Sequence, residues 1–86
     1  MNISNRHDRE TFVMTAVLKQ LELAGVDPKC LTEDREWFKN NTISRDQAEE
    51  WKQWFLTEAR KNFKLTKKKA EREFIWFNLT YGLREI

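Results

Sequence analysis

Apolar residues recur at three- and four-residue steps along most of this chain, which is the spacing of an amphipathic helix. The first stripe comprises Phe12, Val13, Ala16, Val17, Leu21 and Ala24. Asn5 and Asp8 can each cap its start, and Gly25 can adopt the left-handed conformation that closes a helix. The pattern therefore predicts a helix over residues 6–24.

A second, shorter helix is predicted over 28–39. Asp27 can cap it and Pro28 suits the first helical position, while Thr32 is an alternative cap. The asparagines at 40–41 are typical of the turn that would follow.

Two further helices are predicted over 45–62 and 67–81. Ser44 opens a capping-box pattern, Thr66 can cap the fourth helix, and Gly82 can end it. Their apolar stripes consist of Ala48, Trp51, Phe55 and Ala59, continuing to Phe63, and of Ala70, Phe74, Phe77 and Tyr81. We expect these two helices to form a hairpin.

The same segment also permits one long helix over 45–81, because neither glycine nor proline occurs from Thr42 to Tyr81. Such a helix would need an oligomer to cover its continuous stripe. The lysines at 67–69 would also oppose the helix dipole at a new start. We favour the hairpin, since helices of globular proteins seldom exceed about 20 residues.

The composition fits an all-α fold, a small single-domain bundle of about four helices over 1–86. Two glycines and one proline among 86 residues argue against a turn-rich all-β fold. The 35% of charged residues excludes a membrane span, and the 13% of aromatic residues excludes disorder. With one cysteine and a polar start without a signal peptide, the expected location is cytoplasmic.

Few residues of the chain are suited to catalysis or metal binding. His7 and Cys30 are the only histidine and cysteine, so one chain cannot assemble a clustered His/Cys metal site. The two glycines, Gly25 and Gly82, cannot form a phosphate-binding glycine loop. We therefore expect no enzyme activity, no catalytic residue, no cofactor, no metal and no small-molecule substrate.

Three Trp-Phe pairs give the helices more aromatic surface than one face of each can cover. Adjacent helical residues point about 100° apart, so Trp54 and Trp76 lie off the stripes that contain Phe55 and Phe77. The residues predicted to form a protein interface are Trp37, Trp54, Ile75, Trp76 and Leu79. The alternative that all four tryptophans pack into the core stays open.

This surplus favours a small non-enzymatic protein-binding module that acts as an adaptor, regulator or inhibitor. Its partner would be another protein or a second copy of the chain in a homodimer, since tryptophan and tyrosine are typical of interface hot spots. An origin as an accessory protein of a phage or mobile element is a further hypothesis for such a short, densely charged domain.

Positive charge is concentrated in residues 60–72, where seven lysines and arginines accompany one acidic residue, Glu71. Because the whole chain carries +2, this segment holds +6 and the remainder −4. The alternative function is therefore nucleic-acid binding, with basic side chains on phosphates and Phe63 stacked on a base. The residues predicted for it are Arg60, Lys61, Phe63, Lys64, Lys67, Lys68, Lys69 and Arg72. The same charges also fit a helix start that is only solvated and has no binding function. Binding to a membrane surface is disfavoured because the apolar stripes are needed for helix packing.

Overall fold

Side-chain caps begin the three long helices in the computed structural model, which describes residues 2–31, 33 and 36–86. In chain order, the described elements are α1 (Arg6–Ala24), a 3₁₀ turn (Pro28–Cys30), α2 (Trp37–Asn40), β1 (Thr42–Ile43), α3 (Arg45–Phe63), α4 (Lys67–Tyr81) and β2 (Arg84–Glu85). The helices α1, α3 and α4 confirm the predicted first, third and fourth helices.

Both ends of α1 form as their residues predict. The Oδ1 atom of Asn5 caps the helix by accepting a hydrogen bond from the N–H of Asp8 at 3.2 Å. At the other end Gly25 has a φ of 72°, a left-handed conformation that costs glycine nothing. The N–H of Val26 then bonds to the carbonyl of Leu21 at 2.9 Å, which completes a Schellman closure.

A break at residues 64–66 separates α3 from α4 and confirms the predicted hairpin. Lys64 ends α3 in the left-handed conformation, with a φ of 54°. The Oγ1 atom of Thr66 caps α4 by accepting from the N–H of Lys69 at 3.3 Å. The alternative of one long helix over 45–81 is wrong, because the left-handed residue turns the chain back and α4 packs against α3.

The second predicted helix, 28–39, is replaced by two short pieces. Asp27 caps only the 3₁₀ turn Pro28–Cys30, and Leu31 is already extended with ψ at 121°. Helix resumes at α2, which contains four residues. A 3₁₀ turn rarely extends beyond a few residues because its hydrogen bonds are poorly aligned. The alternative cap at Thr32 lies outside the described residues.

The helices α1, α3 and α4 pack around one cluster of buried side chains. It contains Phe12, Ala16, Val17, Leu21, Trp37, Ile43, Trp51, Phe55, Ala59, Phe63, Ala70, Phe77 and Leu83. The Nε1–H of Trp51 donates to the carbonyl of Ala16 at 3.0 Å, so the indole is hydrogen-bonded inside the core. The predicted stripes therefore supply most of the core.

Gln20 ties the end of α4 to α1. Its side chain is fully buried, at 0% exposure, and its Nε2 donates to the carbonyl of Tyr81 at 3.1 Å. Its Oε1 accepts from the N–H of Leu83 at 2.8 Å. The chain then forms β2, which pairs in parallel with β1 and places Thr42 opposite Arg84. The apolar pattern predicts neither feature, because both join residues that are distant in the sequence.

Candidate interaction surfaces

The helices α1 and α4 expose large apolar side chains to solvent. These are Met14 (54% exposed), Leu18 (40%), Ile75 (59%), Trp76 (42%) and Leu79 (81%), which we call the apolar patch. On α1, Met14 and Leu18 are one turn apart, and on α4 Leu79 lies between Ile75 and Trp76 around the helix circumference. Several large apolar side chains exposed on two neighbouring helices are typical of a binding site.

A groove of about 410 Å³ lies between α1, α4 and the segment that contains Leu31 and Trp37, and of the patch residues only Met14 and Trp76 line it. Met14 lines it from α1 and Trp76 from α4, with Trp37 also in its lining. Further apolar lining comes from Val13, Val17, Leu31 and Tyr81. Glu10 and Glu33 also line the groove, and their exposed side chains give its rim an acidic character.

Trp76 is held in place by Arg9 of α1. The guanidinium carbon of Arg9 lies 4.5 Å from the centroid of the Trp76 ring. Its Nη2 atom is 3.1 Å from the Oε2 atom of Glu73, one turn before Trp76 on α4. Tyr81 meets the indole edge-on, with 6.2 Å between ring centroids. The exposed part of the indole is therefore presented in a fixed orientation, which lowers the entropy lost on binding.

Of the five predicted interface residues, Ile75, Trp76 and Leu79 are exposed, whereas two tryptophans are covered. Trp37 is buried in the core and contributes only to the groove lining, so its prediction as an interface residue is corrected. Trp54 is half-buried because α1 lies against it. Its ring stacks parallel to that of Phe12, with centroids 6.3 Å apart and an interplanar angle of 5°.

Lysines and arginines gather where α3 ends and α4 begins. Six of them are exposed, and we call this set the basic corner: Arg60, Lys61, Lys64, Lys67, Lys68 and Lys69. Across residues 2–31, 33 and 36–86, none of the six takes part in an ion pair. This end of the hairpin therefore has a strong, unneutralised positive charge.

Phe63 and Arg72, which were predicted to act with these cations, lie outside the corner. Phe63 is buried and packs edge-on against Phe12 with ring centroids 5.1 Å apart. Its predicted stacking on a base is therefore wrong, because its side of α3 faces the core. Arg72 is exposed, but it lies one turn farther along α4, beside Ile75 of the apolar patch.

The few reactive side chains lie in different elements of the described part of the chain. The described residues contain no group of three or more His, Cys, Asp and Glu side chains that could hold a metal ion. His7 is exposed at the start of α1, while the half-buried Cys30 lies in the turn after its other end. No described helix is long and apolar enough to cross a bilayer.

Sequence reasoning did not single out Met14, Leu18 or Arg9. Met14 and Leu18 form an apolar pair at four-residue spacing outside the main stripe of α1, which is a signal that the sequence does contain. Arg9 has no such signal, because its partner Glu73 is 64 positions away.

Comparison with known proteins gives no match to a family model, to a curated protein or to a solved structure. Functional inference for this chain therefore depends on its two surfaces, the apolar patch and the basic corner.

Proposed function

We propose that this protein is a non-enzymatic protein-binding module that receives the apolar face of a partner's helix along the α1–α4 groove. The observation that carries the proposal is the apolar patch beside that groove. Burial of a Leu, Ile or Met side chain contributes about 1.5–3 kcal/mol, and Leu79 and Ile75 gain little of this within their own chain. A partner that covers these two side chains would gain this free energy of burial on binding.

Two of the walls of the groove are helices, which favours a helix as the occupant. Two helices that border a groove can accept the side-chain ridges of a third, and apolar residues of the incoming helix would then fill the groove at helical spacing. Trp76, held by Arg9, supplies a rigid aromatic anchor of the kind that dominates interface energetics.

The charges near the groove indicate which polar residues the partner helix carries. Glu33 is exposed along the groove without an ion pair among the described residues, whereas Glu10 pairs with Arg6 at 2.9 Å and Arg9 pairs with Glu73 at 3.1 Å. A helix with lysine or arginine beside its apolar face would therefore be attracted, and one with glutamate there repelled.

A synthetic amphipathic peptide of about 18 residues tests this proposal, with leucine at helical spacing and lysine beside it. We expect the peptide to shift the indole N–H resonance of Trp76 in an NMR titration. The matched control is the same peptide with glutamate in place of lysine, which should bind several-fold more weakly. If neither peptide shifts the Trp76 resonance, the proposal is wrong.

Variants of the patch provide the second part of this test. Replacing Met14→Ser, which lines the groove, together with Ile75→Ser and Leu79→Ser at exposed positions of α4 should weaken the lysine peptide about tenfold or more with little change in the melting temperature. Ile86→Ser is the matched control, since Ile86 is equally exposed outside the patch and should leave binding unchanged. If light scattering shows a salt-independent dimer that Leu79→Ser disperses, the occupant is a second copy and not a partner's helix.

A further inference from the structure

We propose that the basic corner binds the phosphate backbone of double-stranded nucleic acid without reading its sequence. This function is independent of helix binding at the apolar patch. Residues 60–72 carry +6 while the rest of the chain carries −4, so the attraction for a polyanion is confined to one end of the molecule.

Arg60 is the centre of the corner because it borders two hollows. With Lys61 and Lys64 it lines a shallow hollow that also contains Thr57. With Lys67 of α4 it lines a second hollow, again with Thr57. Cations from both helices and the break between them therefore border adjoining concave surfaces, with a hydroxyl group that can also bond to phosphate oxygen.

The nearest acidic side chains do not neutralise these cations. Glu58 lies on the opposite side of α3 from Arg60 and accepts a hydrogen bond from Asn62 at 3.1 Å. Glu71 is exposed one turn after Lys67 and makes no ion pair within the described part of the chain. The charge of the corner is therefore available to a bound anion.

The backbone of α4 adds to this charge. The first turn of the helix carries three lysines and no acidic residue, although the N-terminal end of a helix is itself positive. This arrangement is unfavourable in the free protein, and a bound phosphate would relieve it.

The side chains around the corner favour duplex phosphates over other anionic partners. Phe63 is buried and Leu65 half-buried, so the described residues of this corner offer no exposed aromatic ring to stack on single-stranded bases or to enter a bilayer. The contacts that remain are hydrogen bonds and charge attraction to phosphates. Duplex nucleic acid presents these most densely, about one charge per 1.7 Å.

Fluorescence anisotropy with a labelled mixed-sequence duplex, between about 50 and 200 mM salt, tests this proposal. Affinity should fall steeply with salt, with log K against log [salt] changing by about −0.9 for each phosphate contact. A second duplex of shuffled sequence should bind equally well, and the corresponding single strand more weakly.

Two triple variants of equal net charge separate the corner from general attraction. The corner variant is Lys67→Gln, Lys68→Gln and Lys69→Gln, and its control is Lys29→Gln, Arg45→Gln and Arg84→Gln, all at exposed positions. The corner variant should lose about tenfold or more in affinity for the duplex, and its slope of log K against log [salt] should be shallower by about 2–3. The control should lose about threefold or less in affinity. A double variant, Arg60→Gln and Lys61→Gln, should also lose affinity, which tests the contribution of α3.

Several results would overturn the proposal. Equal losses of duplex affinity in the two triple variants would mean that binding depends only on the net charge of the protein. Tighter binding to polyglutamate or to phosphatidylserine vesicles than to the duplex would assign the corner to a different anion. Because Leu79→Ser should not change duplex binding, this experiment can fail or succeed separately from the peptide experiment on the patch.

Discussion

The two ends of α4 differ in chemistry although they belong to one continuous helix. Its first turn carries three exposed lysines, whereas its second half exposes Ile75, Trp76 and Leu79. Binding to lysines depends on charge and weakens as salt screens it. Binding to the apolar patch depends on removing surface from water and should change little with salt.

The two ends also differ in what holds them in place. The basic corner is set by local features, namely the left-handed Lys64 and the cap at Thr66. The apolar patch depends on distant contacts, since Gln20 fixes the end of α4 and Arg9 fixes Trp76. Substitutions can therefore disturb one end while the other stays intact.

The largest expected effect is that of Gln20→Leu, which should disrupt the patch end of α4. It removes the hydrogen bond that Gln20 donates to the Tyr81 carbonyl and deprives the buried Leu83 N–H of the side-chain oxygen that accepts from it, at a cost of about 2–4 kcal/mol in the free energy of unfolding. Urea denaturation measures this loss. Gln53→Leu, at an exposed position, is the control and should change stability by less than about 0.5 kcal/mol.

Hydrogen exchange sharpens the same comparison. In Gln20→Leu, amides in the second half of α4 should exchange faster than those in its first turns, and duplex binding should be retained under conditions where the protein is folded. Equally faster amide exchange along the whole of α4 would show that its two ends unfold as one cooperative unit.

A smaller effect is expected from Arg9→Gln, which removes the contact over Trp76 and the ion pair with Glu73. The loss in stability should be about 0.5–1.5 kcal/mol, since both contacts are partly exposed. The indole N–H resonance of Trp76 should also shift in the free protein, because Arg9 no longer lies over the ring. Arg6→Gln breaks only an exposed pair with Glu10 and should have little effect on stability or on the Trp76 resonance.

The smallest effect is that of Lys64→Gly, which acts on the basic corner. Glycine adopts the φ of 54° without steric cost, so thermal unfolding should show a gain of about 0.5–1 kcal/mol. Loss of one cation should at the same time weaken duplex binding about two- to threefold. Gly25→Ala, at a φ of 72°, is the reverse control and should lose about 1 kcal/mol.

Sequence reasoning predicted the three long helices well because their signals are local. Asn5, Gly25 and Thr66 act on backbone groups within a few positions, and the stripes follow from the helical repeat alone. The short second helix was misjudged because Asp27 and Pro28 favour any helical start, whether 3₁₀ or α. The exposure of each tryptophan was harder still to predict. Trp37 and Trp76 are both followed by phenylalanine, yet Trp37 is buried and Trp76 is exposed.

The sequence by itself determined the helical content, the approximate helix boundaries and the concentration of positive charge in 60–72, because these depend on neighbouring residues. Only the tertiary structure decided which aromatic side chains remain in solvent. Trp37 and Trp54 are buried or half-buried by side chains of other elements. Gln20 of α1 bonds to the end of α4, and Arg9 of α1 contacts Trp76 of α4, so these partners are far apart in the chain. Burial of a side chain depends on how all the helices pack together, so the apolar pattern of one helix cannot predict it.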